Sequence, residues 1–329
     1  MRPFAYARAT SLDEALAAAE EPGTTVLAGG TELLNWLRLG IAAPDRVLDI
    51  TRVAGLDRIE PLPDGSLRIG ALVRLNDVAA DQNVARDWPV LREAIHKSAS
   101  AQLRNLATIG ANLLQKTRCP YFRSEHPTPC NRRVPGSGCA ALHGHDERHA
   151  LFGWTDDCIA TQPSDPAVAL AVLDAHLVTR SARGGRRIAM TDFHVLPGVG
   201  VDRDNVLERG ELIESIELDR PAPRSAYVKV RERESYEYAL VSAAATVELG
   251  EGERIDSARI ALGSVALRPW RLTQAERRIA GLAPDDPGVA TAIDAALAEA
   301  RPVAGSAYKL AIARGAARRA LMSAAEVRP

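Results

Sequence analysis

All four cysteines of this 329-residue chain, Cys119, Cys130, Cys139 and Cys158, fall within one stretch of forty residues. That stretch is rich in Pro, Gly, Arg and His. It shows neither the 3.6-residue period of a helix nor the alternation of a strand. A run this long without secondary structure is unusual inside a compact domain. Something other than a hydrophobic core has to order it, and the thiols are the candidates. Regular structure is therefore expected on either side of a cysteine-ordered segment, residues 119–158.

Ten, eight and eighteen residues separate the cysteines. A [4Fe–4S] cluster takes four thiolates, and a single long loop can supply them. Structural zinc usually draws on a closely spaced C-x-x-C type pair, which is missing here. Two disulfides would need an oxidising compartment. The spacing favours the cluster and leaves zinc and disulfides open. His126, His143, His145 and His149 share the window and read as polar loop residues rather than additional ligands. Arg118, Arg123, Arg132, Arg133 and Arg148 make it locally basic. Cations of that kind raise a cluster's potential or meet a partner subunit.

Outside this segment the chain is regular. Ser11–Glu20 reads as a helix with Ser11 at the N-cap and Glu14 completing a capping box. Thr24–Ala28 reads as a strand, Thr31–Leu39 as a helix ended by Gly40, and Val47–Ile50 as a strand. A turn at Pro63-Asp64-Gly65 is expected to join that strand to another at Leu67–Gly70. This alternation is an α/β signature. Asp87–Ala107 reads as mainly helical. Pro166–Leu173 is a helix followed by a strand at Ala175–Thr179, and Leu212–Leu218 alternates as a strand. After the linker-like Pro221-Ala222-Pro223 come strands at Tyr227–Val230, Ala239–Leu249 and Arg259–Val265. Helices broken at Pro284–Pro287 follow. The expected class is α+β, with a two-lobed domain over residues 1–220 and a smaller α+β domain over residues 222–329 carrying a three-stranded antiparallel sheet.

Composition excludes some functions. Net charge is -1 with scattered Lys and Arg, which argues against a phosphate-binding nucleic-acid surface. No apolar run approaches the 18 residues of a membrane span. The N-terminus lacks a signal-peptide pattern. Folding in the cytoplasm is the expectation, with any export to the periplasm as the passenger of a signal-bearing partner.

Two turns carry the chemistry. Leu27-Ala28-Gly29-Gly30-Thr31-Glu32-Leu33-Leu34 lies between a strand and a helix. Its glycines allow close backbone approach to a bulky anion, Thr31 offers a hydroxyl, and the helix start offers free N–H groups. Ala107-Thr108-Ile109-Gly110-Ala111-Asn112-Leu113-Leu114 repeats that chemistry. Each alone is equally an ordinary tight turn; together they suggest two loops clamping one diphosphate. Neither a G-x-G-x-x-G nor a P-loop pattern is present.

AGGTELL followed about 75 residues later by ATIGANLL resembles the FAD-binding (medium) subunits of the xanthine dehydrogenase, or molybdenum hydroxylase, family, whose fold is shared with vanillyl-alcohol-oxidase-type flavoproteins. The resemblance spans nearly the whole chain. It includes Pro163-Ser164-Asp165-Pro166, Gly210–Ile216 and Tyr227-Val228-Lys229-Val230-Arg231, and departs at Ala111, where many relatives have a second Gly. It implies that Leu27, Ala28, Gly29, Gly30, Thr31, Glu32, Leu33 and Leu34, with Ala107, Thr108, Ile109, Gly110 and Asn112, hold the diphosphate and ribityl chain of FAD. It implies further that Ser164 and Asp165 lie beside the flavin, Ile213 packs on its ring, and Lys229 sits at its polar edge.

The surroundings of the cysteines resemble the subset of that family found in bacterial periplasmic aldehyde oxidoreductases. This implies a [4Fe–4S] cluster on Cys119, Cys130, Cys139 and Cys158. It also implies a molybdenum-cofactor large subunit that oxidises the substrate, a small subunit whose two [2Fe–2S] centres feed electrons to the FAD, and an external acceptor. No catalytic side chains of the chain's own are expected. The alternatives are a 4-hydroxybenzoyl-CoA-reductase-like flavin subunit and a non-redox assembly module whose cysteines hold zinc.

Overall fold

A computed structural model describes residues 1–326. The chain begins with β1 (Ala5–Arg8), α1 (Leu12–Glu20), β2 (Thr24–Leu27), α2 (Leu33–Arg38) and β3 (Arg46–Asp49). The three strands pair in parallel in the order β1-β3-β2. Ser11 caps α1 by accepting from the Glu14 N–H at 3.2 Å. Glu14 returns its bond to the Thr10 N–H (2.8 Å), one residue earlier than the box requires.

Next come β4 (Ile59–Pro61), β5 (Leu67–Gly70) and five short helices: α3 (Leu75–Ala80), α4 (Gln82–Asp87), α5 (Pro89–His96), α6 (Ala101–Arg104) and α7 (Ile109–Leu113). The Pro63-Asp64-Gly65 turn joins β4 to β5, not the Val47–Ile50 strand to Leu67–Gly70. Asp64 closes it by accepting from the Ser66 N–H and hydroxyl at 3.0 and 2.6 Å. So tight a turn can pair only the segments that flank it, and β3 is committed to the parallel sheet. The helix expected over Asp87–Ala107 is broken: Pro89 opens α5, and Ala99 at φ +49° separates it from α6.

After the cysteine segment, α8 (Asp165–Val172), β6 (His176–Ser181), β7 (Gly184–Ala189), α9 (Met190–Phe193) and β8 (Leu212–Leu218) complete a five-stranded antiparallel sheet, β4-β5-β8-β6-β7. All eight residues of α8 are buried. A helix apolar on every side needs partners on every side, and α8 lies between α5 and the C-terminal sheet.

That last sheet runs β12-β11-β10-β9, from β9 (Ser225–Val230), β10 (Val241–Leu249), β11 (Ile255–Gly263) and β12 (Trp270–Arg271). It has four antiparallel strands where three were expected. The fourth spans two residues, too few for any period to show. α10 (Thr273–Arg278) and α11 (Pro287–Leu297) precede α12 (Lys309–Glu326), which lies across β9 and β10. The C-terminal unit expected to reach residue 329 has its last three residues outside those described. Among the described residues no helix is long and apolar enough to cross a membrane.

Candidate functional site

A cleft of about 680 Å³ is walled by the two glycine turns, the α5–α6 connection, the start of α8 and the β9–β10 hairpin. Of the first turn, Ala28, Gly29, Gly30, Thr31, Glu32 and Leu33 line it. Ala107, Thr108 and Asn112 line it from the second turn, with Ala111, and Asp165 and Lys229 from the far side. The fold thus gathers residues as far apart in the chain as Ala28 and Lys229.

Six expected residues stand behind the wall or off it. Leu27 packs beneath Gly30, and Leu34 is 54% exposed. Ile109 and Ile213 are buried in the central core. Gly110 is pressed against Ala71. Ser164 caps α8 and donates to Asn112 Oδ1 at 2.6 Å, so it orients a lining residue.

Sequence reasoning missed Trp36, Gln115 and Arg118 in the wall, and Arg233, Tyr236, Glu237 and Tyr238 of the β9–β10 hairpin. Two tyrosines in one strand connection, in a chain only 4% aromatic, were the available signal.

The turns meet backbone to backbone. A Cβ on Gly29 would stand 1.9 Å from the Leu106 carbonyl oxygen and 2.7 Å from its carbon. The second turn is fixed from behind by Ile109 N–H donating to Val73 O (2.9 Å) and Gly110 N–H to Ala71 O (3.0 Å). Because α2 has six residues and α7 five, little macrodipole is available; free N–H groups and hydroxyls must supply any anion contact. Thr108 occupies the N-cap of α7 without making the cap bond. Its hydroxyl is buried in the cleft wall with no partner, although buried polar groups are normally paired. A hydroxyl left unpaired in this position fits a ligand oxygen.

Behind this turn, His194 Nε2 lies 2.8 Å from Leu113 O and 2.9 Å from the Gln162 side-chain nitrogen. Burial pushes its pKa from 6.5 down to about 4. The folded chain therefore keeps His194 neutral where the unfolded chain would protonate it. The stability this gives is present above pH 6.5 and is lost as pH falls through 4, by about 3 kcal/mol at the acid end. Urea midpoints at pH 7 and pH 5 should show the loss, and His194→Gln should flatten it.

At the other end, Asp165 is 4% exposed. Its Oδ1 accepts from Tyr227 Oη at 2.5 Å and its Oδ2 from Lys229 Nζ at 2.8 Å. Tyr227 and Lys229 share a face of β9 by the two-residue period. Burial and the adjacent Asp165 charge push the Tyr227 pKa well above its usual value, so the phenol remains a donor. Lys229 also donates to Lys97 O at 2.9 Å, and Arg231 donates to the same carbonyl at 3.1 Å. A fixed cation thus stands at the cleft's inner end.

Glu32 does not offer its carboxylate to the cleft. Its Oε1 accepts from Trp36 Nε1 (2.8 Å) and Arg123, and its Oε2 from Arg118 at 2.7 Å. Burial would raise its pKa, but the two arginines prevail and hold it lowered.

The cysteine segment contains one 3₁₀ turn, Ala140–His143, and isolated bridges at Cys130–Cys139 and Thr155–Cys158. All four cysteines line one small pocket, and none forms a disulfide. Among the described residues no three His, Cys, Asp or Glu side chains could hold a single metal ion. Burial pushes the Cys119 thiol up to about 12 and Cys158 to about 11. Arg132 opposes this at Cys158. Its Nη2 pairs with Asp204, while its Nε and Nη1 are buried without partners. His149, 3% exposed, lines the same pocket with both ring nitrogens unpartnered; His126, His143 and His145 are exposed. Unsatisfied donors around four thiols fit an anionic group held by all four, which a thiolate-ligated cluster is.

The arginines of this segment are braces rather than a free basic surface. Arg133 donates to Ser124 O and Leu39 O at 2.8 and 3.1 Å, Arg123 to Thr117 O at 2.9 Å, and Arg148 pairs with Glu237 at 3.1 Å.

Comparison with known proteins agrees with this geometry. Residues 2–221 match the FAD binding domain in molybdopterin dehydrogenase, and residues 226–324 match the CO dehydrogenase flavoprotein C-terminal domain. The aldehyde oxidoreductase FAD-binding subunit PaoB of Escherichia coli (strain K12) is 44% identical, over 95% of this chain and 96% of its own length. The glyceraldehyde dehydrogenase medium chain of Sulfolobus acidocaldarius is 28% identical, over 84% of this chain and 81% of its own length. The crystal structure of quinoline 2-oxidoreductase from Pseudomonas putida 86 superposes with a TM-score of 0.76 at 26% identity, covering 99% of this chain and 98% of that one. With family matches over both halves and a relative at 44% identity along almost its full length, the chain belongs to the FAD-binding medium subunits of the molybdenum hydroxylase family.

Proposed function

We propose that this chain is the FAD-carrying electron-transfer subunit of a heterotrimeric, molybdenum-containing aldehyde oxidoreductase. The observation that carries the reading is the cleft itself. Two glycine turns touch at one end, with an unpaired buried hydroxyl on Thr108, and a buried Asp165–Lys229 pair stands at the other. The 44% identity to an aldehyde oxidoreductase subunit selects the aldehyde class.

FAD, when bound, supplies the redox chemistry. The chain's residues bind and orient. Gly29, Gly30 and Thr31 with Thr108 and Asn112 would hold the diphosphate and ribityl chain. Lys229, locked by Asp165 and Lys97 O, would keep a positive charge at the flavin's polar edge, where negative charge collects on reduction. Tyr236 and Tyr238 would limit water at the mouth. Electrons would arrive from the [2Fe–2S] small subunit, drawn from substrate at the molybdenum large subunit, and leave to an external acceptor. No side chain here is asked to transfer a proton to substrate.

Cys119, Cys130, Cys139 and Cys158 would hold a [4Fe–4S] cluster. The pocket's unpartnered Arg132 and His149 donors suit an anionic group held by four thiolates, and the lack of a closely spaced cysteine pair favours the cluster over zinc. The test is cofactor content of the anaerobically purified complex. About four irons and four sulfides on this chain are expected. Zinc in their place, or no metal, would contradict the cluster assignment while leaving the flavin assignment intact.

A further inference from the structure

Glu32 connects two sites that are otherwise separate. It lies in the first glycine turn and lines the cleft. Its carboxylate, with a side chain 14% exposed, is saturated by Trp36, Arg118 and Arg123. Arg118 immediately precedes Cys119. Arg123 donates to Thr117 O and Lys116 O, the backbone that leads into Cys119. Arg118 is also part of the cleft wall. Its guanidinium carbon stands 4.6 Å from the centre of the Tyr238 ring, and its Nε is buried without a partner. One carboxylate and two guanidiniums thus join the turn expected to hold a cofactor to the loop carrying the first cysteine. The loop's backbone hydrogen bonds run mainly within the loop itself, as in Asn131 N–H to Gly138 O and Ala140 N–H to Pro129 O, so these side chains are what tie it to the turn.

We propose that Glu32, through Arg118 and Arg123, is the joint that couples the two sites, so that filling the flavin cleft holds the cysteine loop closed. The physical basis is linkage. A ligand that fixes the Gly29–Glu32 turn fixes the carboxylate on which the loop's arginines are anchored. The loop's opening equilibrium then falls by the coupling factor. Glu32 is a positioning residue in this account and need not touch the flavin. The inference rests on the cleft binding FAD; where the cysteines hold a cluster, labelling reads its loss as the loop opens.

The test is the rate at which iodoacetamide, with a chelator present, labels the four cysteines of the purified complex. It is measured with flavin bound and after flavin removal, in wild type and in Glu32→Gln. Removing flavin should speed labelling in wild type about 5- to 150-fold, the usual span of coupling between sites. Glu32→Gln should label fast in both states while retaining flavin. A merely structural role would change both rates by one factor and leave their ratio unaltered, and that result would overturn the proposal. So would a wild-type rate indifferent to flavin. Should Glu32→Gln not assemble, Arg123→Lys retains the charge while losing the fork that reaches both Glu32 and the Lys116–Thr117 backbone, and should lower the ratio in the same way. Absence of flavin from the purified complex would instead strike at the proposed function.

Discussion

Gly29→Ala is expected to weaken FAD binding at least tenfold and to destabilise the chain by about 1–3 kcal/mol, as overpacking does. The added Cβ would meet the Leu106 carbonyl at 1.9 Å. Backbone cannot rotate away as a flexible side-chain tip can, so the two turns must separate, and their separation is what sets the diphosphate slot. Gly315→Ala is the matched control. It lies within α12 with nothing inside 4 Å of the new carbon, so it should stabilise by a few tenths to about 1 kcal/mol and leave flavin binding unchanged. Isothermal titration of the deflavinated complex, with a thermal melt of each variant, reads both quantities.

Lys229→Met should cost about 3–5 kcal/mol, because it leaves Asp165 buried with no cation. The pair's side chains are 2% and 5% exposed, so water cannot take the lysine's place. Lys229→Met combined with Asp165→Asn should recover a large part of that loss. The midpoint potential of bound flavin should fall most in Lys229→Met, where the positive charge is gone and the Asp165 charge remains, and less in the double variant, where both charges are gone. Redox titration separates this from stability: a potential unchanged in both variants would mean that Lys229 does not face the flavin.

The sequence made the site legible where the chemistry is local. Gly29–Gly30 and Thr108–Asn112 announce themselves because tight turns need particular residues in a particular order. Asp165 and Lys229 were reached only through family resemblance. Their meaning lies in a contact 64 residues apart in the chain, and neither periodicity nor spacing encodes it. Ile213 and Ile109 alternate as cofactor-facing or core-facing residues equally well, and the structure puts both in the core. Glu32 looked like a ribityl ligand because its partners, Arg118 and Arg123, are 86 and 91 residues away. The strands that escaped notice, β1, β4, β7 and β12, are short or exposed. β7 reads GGRRIA, an edge strand with four exposed residues and no apolar face to betray it.

The cysteine segment shows the same division. Its lack of periodicity signalled a loop, but not that Ala141, Leu151, Phe152 and Ile159 within it are buried in hydrophobic clusters. Which side chains brace it was hidden, because arginine–carbonyl bonds such as Arg133 to Leu39 O depend on folding rather than on sequence neighbours.

The cleft between the two glycine turns is proposed to carry one FAD. Acid release of flavin from the purified complex, with identification and quantification against the chain, tests it most directly. FAD is expected at one per chain, reduced to a small fraction in Gly29→Ala. No flavin, or a flavin lacking the second phosphate at the same stoichiometry, would contradict it.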